Sequence, residues 1–193
     1  MSEDRDEPVH ADHHLQHQFA AGARFCALCG GAMRSRVVLP DRKRRQVCSQ
    51  CGFVHFPAAR LVAGCVVVGE NENAGKVLLI KRGLEPSRGL WTFPGGFVEP
   101  AETAADTALR ETLEEVGMKV RLGPLLGVYD DLENAVSTVV AYLAAPGPEA
   151  PIVSDEAPEV RYFSRDAIPW DQLAFNSTRA ALTDWLAMPV KPR

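Results

Sequence analysis

One stretch of 23 residues constrains this chain more than any other part of it. Residues 96–118 read GFVEPAETAADTALRETLEEVGM. Thr103, followed three residues later by Asp106, resembles a capping box, Gly117 suits the end of a helix, and no Gly or Pro lies between them. The pattern therefore predicts an α-helix from about residue 104 to 116.

The predicted helix carries a cluster of carboxylates. Glu111, Glu114 and Glu115 fall within one arc about 100° wide on a helical wheel. Like charges three and four residues apart destabilise a helix, and Arg110 offsets this repulsion only in part. A solvated surface face is the simplest alternative, but the cluster and the glycine turn before it favour a metal site. Oxygen ligands select hard cations such as Mg²⁺ or Mn²⁺. The opposite face is predicted to be buried and consists of Ala105, Leu109, Leu113 and Val116.

The same residues resemble the Nudix box, G-x5-E-x7-R-E-U-x-E-E-x-G-U, in which U is an apolar residue. One position departs, because Thr112 stands where the box has an aliphatic residue, and we expect its methyl group to pack at the border of the apolar face. The resemblance implies a hydrolase that cleaves a nucleoside diphosphate linked to another group. It also implies roles for individual residues: Glu111, Glu114 and Glu115 are metal ligands, the carbonyl of Gly95 is a further candidate ligand, Arg110 orients Glu111, and Glu102 supports the loop and helix.

Further site residues are predicted outside the box. Glu156, and after it Glu159, precede a late strand where Nudix enzymes often carry an additional Glu that serves as ligand or base. Residues 90–97, LWTFPGGF, form a glycine turn that lets a phosphate approach the backbone. Arg82 and Arg88 are candidate phosphate contacts. The candidates for stacking on a base or flavin are Phe97, Tyr129, Trp170 and Phe175, each with an ordinary core position as the alternative.

The cysteines predict a second, separate site. Cys26-x2-Cys29 and Cys48-x2-Cys51 are separated by eighteen residues, a spacing typical of a four-thiolate Zn²⁺ site. Disulfides are the alternative, and the short loops within each pair disfavour them. Four thiolates leave no open position for substrate, so the zinc is predicted to be structural. Cys65 lies in an apolar run and is predicted to be a buried core residue.

The charge of the chain is unevenly distributed. Residues 1–23 sum to -4, residues 24–60 to +7 and residues 61–193 to -7, within a total of -4. The basic run 42–45 is predicted to be a solvated arm or one that contacts the acidic second domain, and nucleic acid is disfavoured as a partner because few aromatics are available for stacking. Those few aromatics are Phe25, Phe53 and Phe56.

Three segments follow from these patterns. Residues 1–23 are predicted to be a disordered acidic tail. The less favoured alternative is that its histidines bind a metal; these are His10, His13, His14 and His17. Residues 24–58 are predicted to be a zinc ribbon, and residues 59–190 a Nudix hydrolase domain. Because His55 is the one histidine outside the tail, histidine catalysis is excluded for the third segment.

The third segment predicts an α/β fold, a mixed sheet between helices, which matches the Nudix α/β/α sandwich. The last helix is predicted over 177–187 with Asn176 or Ser177 as its cap. No apolar run approaches the length of a membrane span, and the polar N-terminus is unlike a secretory signal, so a cytoplasmic protein is expected. The predicted strands are 61–69, 76–82, 90–93, 119–129, 136–144 and 159–164.

Beyond the box, the chain resembles Nudix hydrolases that carry an N-terminal zinc ribbon, in particular a group acting on FAD and ADP-ribose. The shared elements are FCALCGG, VCSQCGFVHF, GLWTFPGGFVEPAET and IPWDQLAFNS. The Ser-Gln-Pro-Trp-Pro-Phe-Pro motif of NADH pyrophosphatases is missing, which disfavours NADH. The resemblance implies a small-molecule nucleotide substrate, catalytic Mg²⁺ or Mn²⁺, and a possible homodimer. The alternatives are an NADH pyrophosphatase-like activity and a non-catalytic protein that senses nucleotides or binds nucleic acid through the basic ribbon.

Overall fold

The structure, a computed structural model, describes residues 23–131 and 137–189. The chain divides into two compact units, with the boundary between Ala58 and Ala59. We call the described part of the first, residues 23–58, the ribbon unit, and that of the second, residues 59–131 and 137–189, the main unit. The predicted acidic tail with its four histidines lies outside the described residues.

The ribbon unit is a three-stranded antiparallel sheet in the order β1-β2-β3. Strand β1 spans Met33–Val38, β2 spans Lys43–Cys48 and β3 spans Val54–His55. The hairpin between β1 and β2 pairs Met33 with Cys48 at one end and Val38 with Lys43 at the other. The basic run 42–45 therefore begins in the hairpin turn and continues along β2.

The main unit contains two sheets. One has the order β7-β4-β9-β8, in which β4 and β9 run parallel and the other neighbours are antiparallel. The other is antiparallel, in the order β10-β5-β6. The predicted mixed sheet is confirmed, and every predicted strand is present. Their bounds are β4 Arg60–Val67, β5 Val77–Lys81, β6 Trp91–Thr92, β7 Gly95–Phe97, β8 Val120–Asp131, β9 Ser137–Pro146 and β10 Glu159–Phe163.

Two helices complete the main unit. Helix α1 spans Ala104–Val116, as predicted: the Thr103 side chain accepts a hydrogen bond from the Asp106 N–H, and Gly117 ends the helix in the left-handed conformation. Helix α2 spans Asn176–Ala187. The predicted cap of α2 was wrong, because the capping position is Phe175, whose side chain makes no capping hydrogen bond. An aromatic residue here serves packing, as described below.

Each helix contributes to its own apolar core. Helix α2 places Ala181, Leu182 and Trp185 in a cluster with residues of both sheets, including Trp91 and Phe163. Helix α1 contributes Ala108 and Val116 to a second cluster that contains Cys65, which is fully buried as predicted. The α/β/α arrangement is thereby confirmed.

The predicted buried face of α1 was partly wrong. Leu113 is exposed and Leu109 is half-buried, whereas Glu115 is buried. The helix is rotated toward β7 and the turn before it, so the centre of its buried face falls between Ala108 and Glu115. Thr112 is fully buried, and its hydroxyl donates to the Ala108 carbonyl at 2.7 Å. This hydrogen bond satisfies the hydroxyl, which the aliphatic residue of the box does not have. No helix within residues 23–131 and 137–189 is both long and apolar enough to span a bilayer.

Candidate metal and phosphate site

Helix α1 arranges its three glutamates in a gradient of burial. Glu115 is 7% exposed, the Glu111 side chain is 16% exposed, and that of Glu114 is 58% exposed. Since they belong to successive positions around one helix, the series runs from the protein interior to solvent. A cation bound here would meet a desolvated carboxylate on one side and water on the other.

Arg110 connects three of the predicted acidic residues. Its Nε and Nη2 donate to the two oxygens of Glu102 at 2.7 and 2.9 Å, which is a bidentate pair. Its Nη1 donates to Glu111 at 2.7 Å and to Glu114 at 2.9 Å, and its Nη2 also donates to the Phe97 carbonyl at 3.2 Å. One guanidinium thus fixes two carboxylates of the helix relative to the preceding loop.

Glu102 is held from several directions. The Thr107 hydroxyl donates to it at 2.8 Å and the Glu99 N–H at 3.3 Å. These donors, with Arg110 the strongest, lower the pKa of Glu102 to about 2. Glu102 therefore remains an anion and keeps Arg110 in place, so it has no free oxygen pair for a metal in this arrangement.

Two glycines allow the turn before α1 to approach the carboxylates closely. The Gly95 N–H donates to Glu115 Oε2 at 2.8 Å. A Cβ on Gly96 would overlap with the Glu111 carboxylate. A side chain at residue 96 would thus occupy the position where Glu111 now lies. The contact recorded for Gly95 involves its N–H, and the ligand role of its carbonyl stays a prediction.

The charges of the buried carboxylates are compensated only in part. Burial raises the pKa of Glu115 to about 8; the Gly95 N–H opposes this, while the charges of Glu111 and Glu156 add to it. Burial likewise raises the pKa of Glu111, against the effect of Arg110. Convergent oxygen donors whose negative charge is unfavourable without a cation fit a Mg²⁺ or Mn²⁺ site.

Of the two later glutamates, the structure brings one to the cluster. Glu156 is close enough to Glu111 and Glu115 to raise the pKa of both, and its carbonyl accepts a hydrogen bond from the Gly83 N–H at 2.8 Å. Glu159 instead pairs with Lys81 at 3.1 Å and with Arg161, on the strand pair β5–β10. The geometry thus favours Glu156 over Glu159 as the additional ligand or base, which is the order that the sequence predicts.

Arg82 lies beside the carboxylate cluster and contacts the segment that leads into α2. Its Nε donates to the Pro86 carbonyl at 2.8 Å, and its guanidinium lies 5.0 Å from the ring centroid of Phe175. Glu115 and Glu156 both interact with its charge, while burial lowers its pKa. The segment that contains Phe175 is joined to β6, because the Ala174 N–H donates to the Trp91 carbonyl at 2.8 Å.

Sequence patterns ranked Arg82 and Phe175 equally with several other residues. Their proximity depends on tertiary pairing between residues 82–91 and 173–175, which no local pattern encodes. The available signal was the run IPWDQLAFNS, one of the segments that resemble zinc-ribbon Nudix hydrolases. Arg88 is exposed, and no contact of its side chain is recorded among the described residues.

The other aromatic candidates have protein partners. Phe97 lies under Arg60, at 3.5 Å from the ring centroid. Trp170 lies near Arg179, and the Tyr129 hydroxyl donates to Asp184 at 2.8 Å. An apolar cleft of about 450 Å³ lies between β8 and α2, away from the carboxylates. The cleft is lined by Pro124, Leu125, Leu126, Leu143, Asp184, Ala187, Met188 and Pro189.

The ribbon unit brings its four predicted cysteines together. The Sγ atoms of Cys26, Cys29, Cys48 and Cys51 all lie within 4.8 Å of one another. The Cys51 and Gln50 N–H groups point at the Cys48 sulfur and lower the pKa of Cys48 to about 6, against its burial. A four-sulfur set with backbone donors that stabilise thiolate fits Zn²⁺ and leaves no open coordination position.

Comparison with known families and proteins agrees with this division. The NUDIX domain family matches residues 58–186, more than half of the chain, and the family described as Nudix N-terminal, a zinc ribbon, matches residues 24–56. A NUDIX hydrolase from Nitrosomonas europaea is 33% identical with a TM-score of 0.76, covering 86% of this chain and 91% of that one.

Two curated relatives carry more specific names. An ADP-ribose pyrophosphatase from Methanocaldococcus jannaschii is 38% identical over 114 residues, 57% of this chain and 66% of that protein. The NAD-capped RNA hydrolase NudC from Deinococcus radiodurans is 37% identical over 105 residues, 53% of this chain and 35% of that protein. The match therefore spans less than two thirds of each relative.

Proposed function

Since the chain belongs to the NUDIX family, we propose that it is a pyrophosphohydrolase that cleaves a nucleoside diphosphate linked to another group, with FAD or ADP-ribose as the favoured substrate. The observation that carries this proposal is the carboxylate cluster of α1, in which Arg110 fixes Glu111 and Glu114 beside a buried Glu115. The name of the Methanocaldococcus relative supports ADP-ribose.

In the proposed reaction, a water attacks one phosphorus of the P–O–P bridge and the bond to the bridging oxygen breaks. ADP-ribose would yield AMP and ribose 5-phosphate, and FAD would yield AMP and FMN. Glu111, Glu114 and Glu115 would hold Mg²⁺ or Mn²⁺, which would stabilise negative charge on the attacking and leaving oxygens.

The remaining roles fall to groups of the chain itself. Arg110 and Glu102 act as positioning residues, because their bidentate pair fixes the guanidinium that holds Glu111. Glu156 lies near the cluster and is the candidate that accepts the proton of the attacking water. Arg82 has one donor engaged with a carbonyl, and its guanidinium is the candidate contact for the diphosphate.

A substrate panel tests the proposal. FAD, ADP-ribose, NADH, CoA and nucleoside triphosphates are each incubated with Mg²⁺ or Mn²⁺, and products are separated by chromatography. We expect AMP release from ADP-ribose or FAD that depends on the added cation. Hydrolysis in ¹⁸O-water then identifies the attacked phosphorus by the product that gains the label.

Glu115→Gln is the matched variant for this panel. It removes a charge and keeps the side-chain volume, so we expect a decrease in turnover of about 10² to 10³ at least, with folding intact. Wild-type turnover in this variant would refute the assigned site. The absence of AMP release from every dinucleotide would refute the activity and favour a non-catalytic nucleotide sensor.

A second candidate is cleavage of an NAD group, free or at the end of an RNA chain. The observation that favours it is the set of relatives named NAD-capped RNA hydrolase NudC. The missing Ser-Gln-Pro-Trp-Pro-Phe-Pro motif argues against it. Adding NADH and NAD-capped RNA to the panel separates the two candidates by their relative kcat/KM.

A further inference from the structure

The ribbon unit places four of its basic residues on one face of its sheet. Residues directly opposite each other in an antiparallel pair lie on the same side of the sheet. The register opposes Arg36 to Arg45, Val38 to Lys43 and Arg34 to Val47, so the four basic residues of these pairs share a side. Of the basic run 42–45 seen in the sequence, the pairing places Lys43 and Arg45 on this side and adds Arg34 and Arg36, while Arg44 lies on the opposite side. We call the side that carries these four residues the basic face.

Within the ribbon unit this face is neutralised only in part. Asp41 is the one acidic residue between residues 24 and 58, and it pairs with Arg45. Arg34, Arg36 and Lys43 are exposed, and no side-chain ion pair joins them to a carboxylate of the ribbon unit. Three concentrated, unpaired charges on a small rigid sheet repel one another, so they favour a polyanionic partner.

An aromatic ring lies on the same side. Val54 opposes Val47 in the register, which puts Val54 on the basic face, and two residues further along the chain Phe56 shares that side. Arg45 lies 4.6 Å from the Phe56 ring centroid, while the ring is 62% exposed. A large exposed ring supported from behind by a guanidinium provides a platform on which a base can stack.

We propose that the basic face binds single-stranded RNA, with Arg34, Arg36 and Lys43 contacting phosphates and Phe56, supported by Arg45, stacking on a base. A duplex has no free base for Phe56, whereas an unpaired strand offers phosphates and exposed bases together, so the combination favours an unpaired strand. With this proposal, RNA binding takes the place of the solvated arm as our interpretation of the basic residues. The inference deepens the second candidate function, on which the choice of RNA over DNA rests.

The test measures binding separately from hydrolysis. The full chain carrying Glu115→Gln, with its zinc retained and no chelator present, is titrated against a fluorescent 12-residue oligouridine. Three phosphate contacts on a single strand predict a slope of log affinity against log salt of about -2, so affinity falls about 20-fold between 50 and 200 mM salt. The triple variant R34Q/R36Q/K43Q removes all three contacts and brings the slope close to zero. Phe56→Ala reduces affinity by about tenfold.

A matched control removes three charges elsewhere. K119Q/R121Q/R161Q changes exposed residues of the main unit by the same total charge, and we expect oligouridine affinity within about twofold of the parent. Bound zinc and thermal unfolding verify that each ribbon variant folds. Variants of the ribbon without Glu115→Gln are expected to cleave free ADP-ribose or FAD at the parental rate.

Several results would overturn the inference. The first is that a folded, zinc-loaded chain does not bind oligouridine, or binds it independently of salt. The second is that the control triple variant loses as much oligouridine affinity as the ribbon triple variant. The third is that oligothymidine or duplex RNA binds more tightly than oligouridine. RNA binding without AMP release would support the surface and refute the activity, whereas AMP release without RNA binding would do the reverse.

Discussion

Replacing Glu115 by Gln should change how the stability of the protein depends on pH. The carboxyl is buried and its pKa is raised to about 8 in the folded state, against 4.5 as the ordinary value. Between these two values the folded chain binds a proton that the unfolded chain has released. Stability therefore decreases as pH rises through this window when Mg²⁺ and Mn²⁺ are absent.

The size of this effect follows from the two pKa values. With 1.36 kcal/mol for each pKa unit, the carboxyl lowers the free energy of unfolding by about 1 kcal/mol at pH 5.5 and by about 4 kcal/mol at pH 8. Gln has no titrating group, so this dependence disappears in the variant. The free energy of unfolding of Glu115→Gln minus that of the parent should rise by about 3 kcal/mol between pH 5.5 and pH 8.

Urea unfolding at several pH values measures this difference. The protein is prepared with one equivalent of zinc and no other divalent cation, because a chelator would also remove the structural metal. The control is Glu114→Gln, on the same helix but 58% exposed, for which we expect a change below about 1 kcal/mol over the same range. Parallel stability curves for the parent and Glu115→Gln would refute the reasoning. Added Mn²⁺ should stabilise the parent more at pH 8 than at pH 5.5, since binding requires the carboxylate.

Three further changes test other parts of the site. Arg82→Ala should raise KM by about tenfold through a lost charged hydrogen bond to phosphate, with exposed Arg88→Ala as the control in steady-state kinetics; equal effects would contradict the assignment. Gly96→Ala should displace the Glu111 carboxylate and lower kcat by about 10², while urea unfolding shows a stability within about 1 kcal/mol of the parent. Removing zinc with a chelator should abolish hydrogen-exchange protection in β1–β3 and leave it in β4 and β9; retained protection in β1–β3 would show that the cysteines do not need the metal.

The parts of the fold that depend on local pattern could be predicted from the sequence. Helix α1 begins and ends at the predicted residues because its signals, a capping Thr and a left-handed Gly, act within a few residues. The cysteine spacing similarly predicted a cluster that the ribbon hairpin assembles. Both rest on contacts between groups that are close along the chain or held by one hairpin.

Features that depend on tertiary partners were predicted less well. A helical wheel orders the residues of α1 but contains no information about which side the sheet and turn will cover, so Leu113 was placed inside and Glu115 outside. Phe175 at the start of α2 was missed as a capping position because its packing beside Arg82 outweighs the preference for a polar cap. The basic face likewise required the strand register, since Arg34 and Arg36 are distant in sequence from Lys43.

The parallel pairing of β4 with β9 has a consequence for the order in which the site is assembled. These strands are neighbours in the sheet, yet the whole of β5 to β8 and helix α1 lies between them in the chain. Closing such a long loop is entropically costly and slow, so this pairing is expected late in folding. During synthesis the glutamates of α1 therefore emerge well before β9 and stay hydrated. Their mutual repulsion is strongest once they are buried, so it opposes mainly the closure of the sheet, when a cation is able to relieve it.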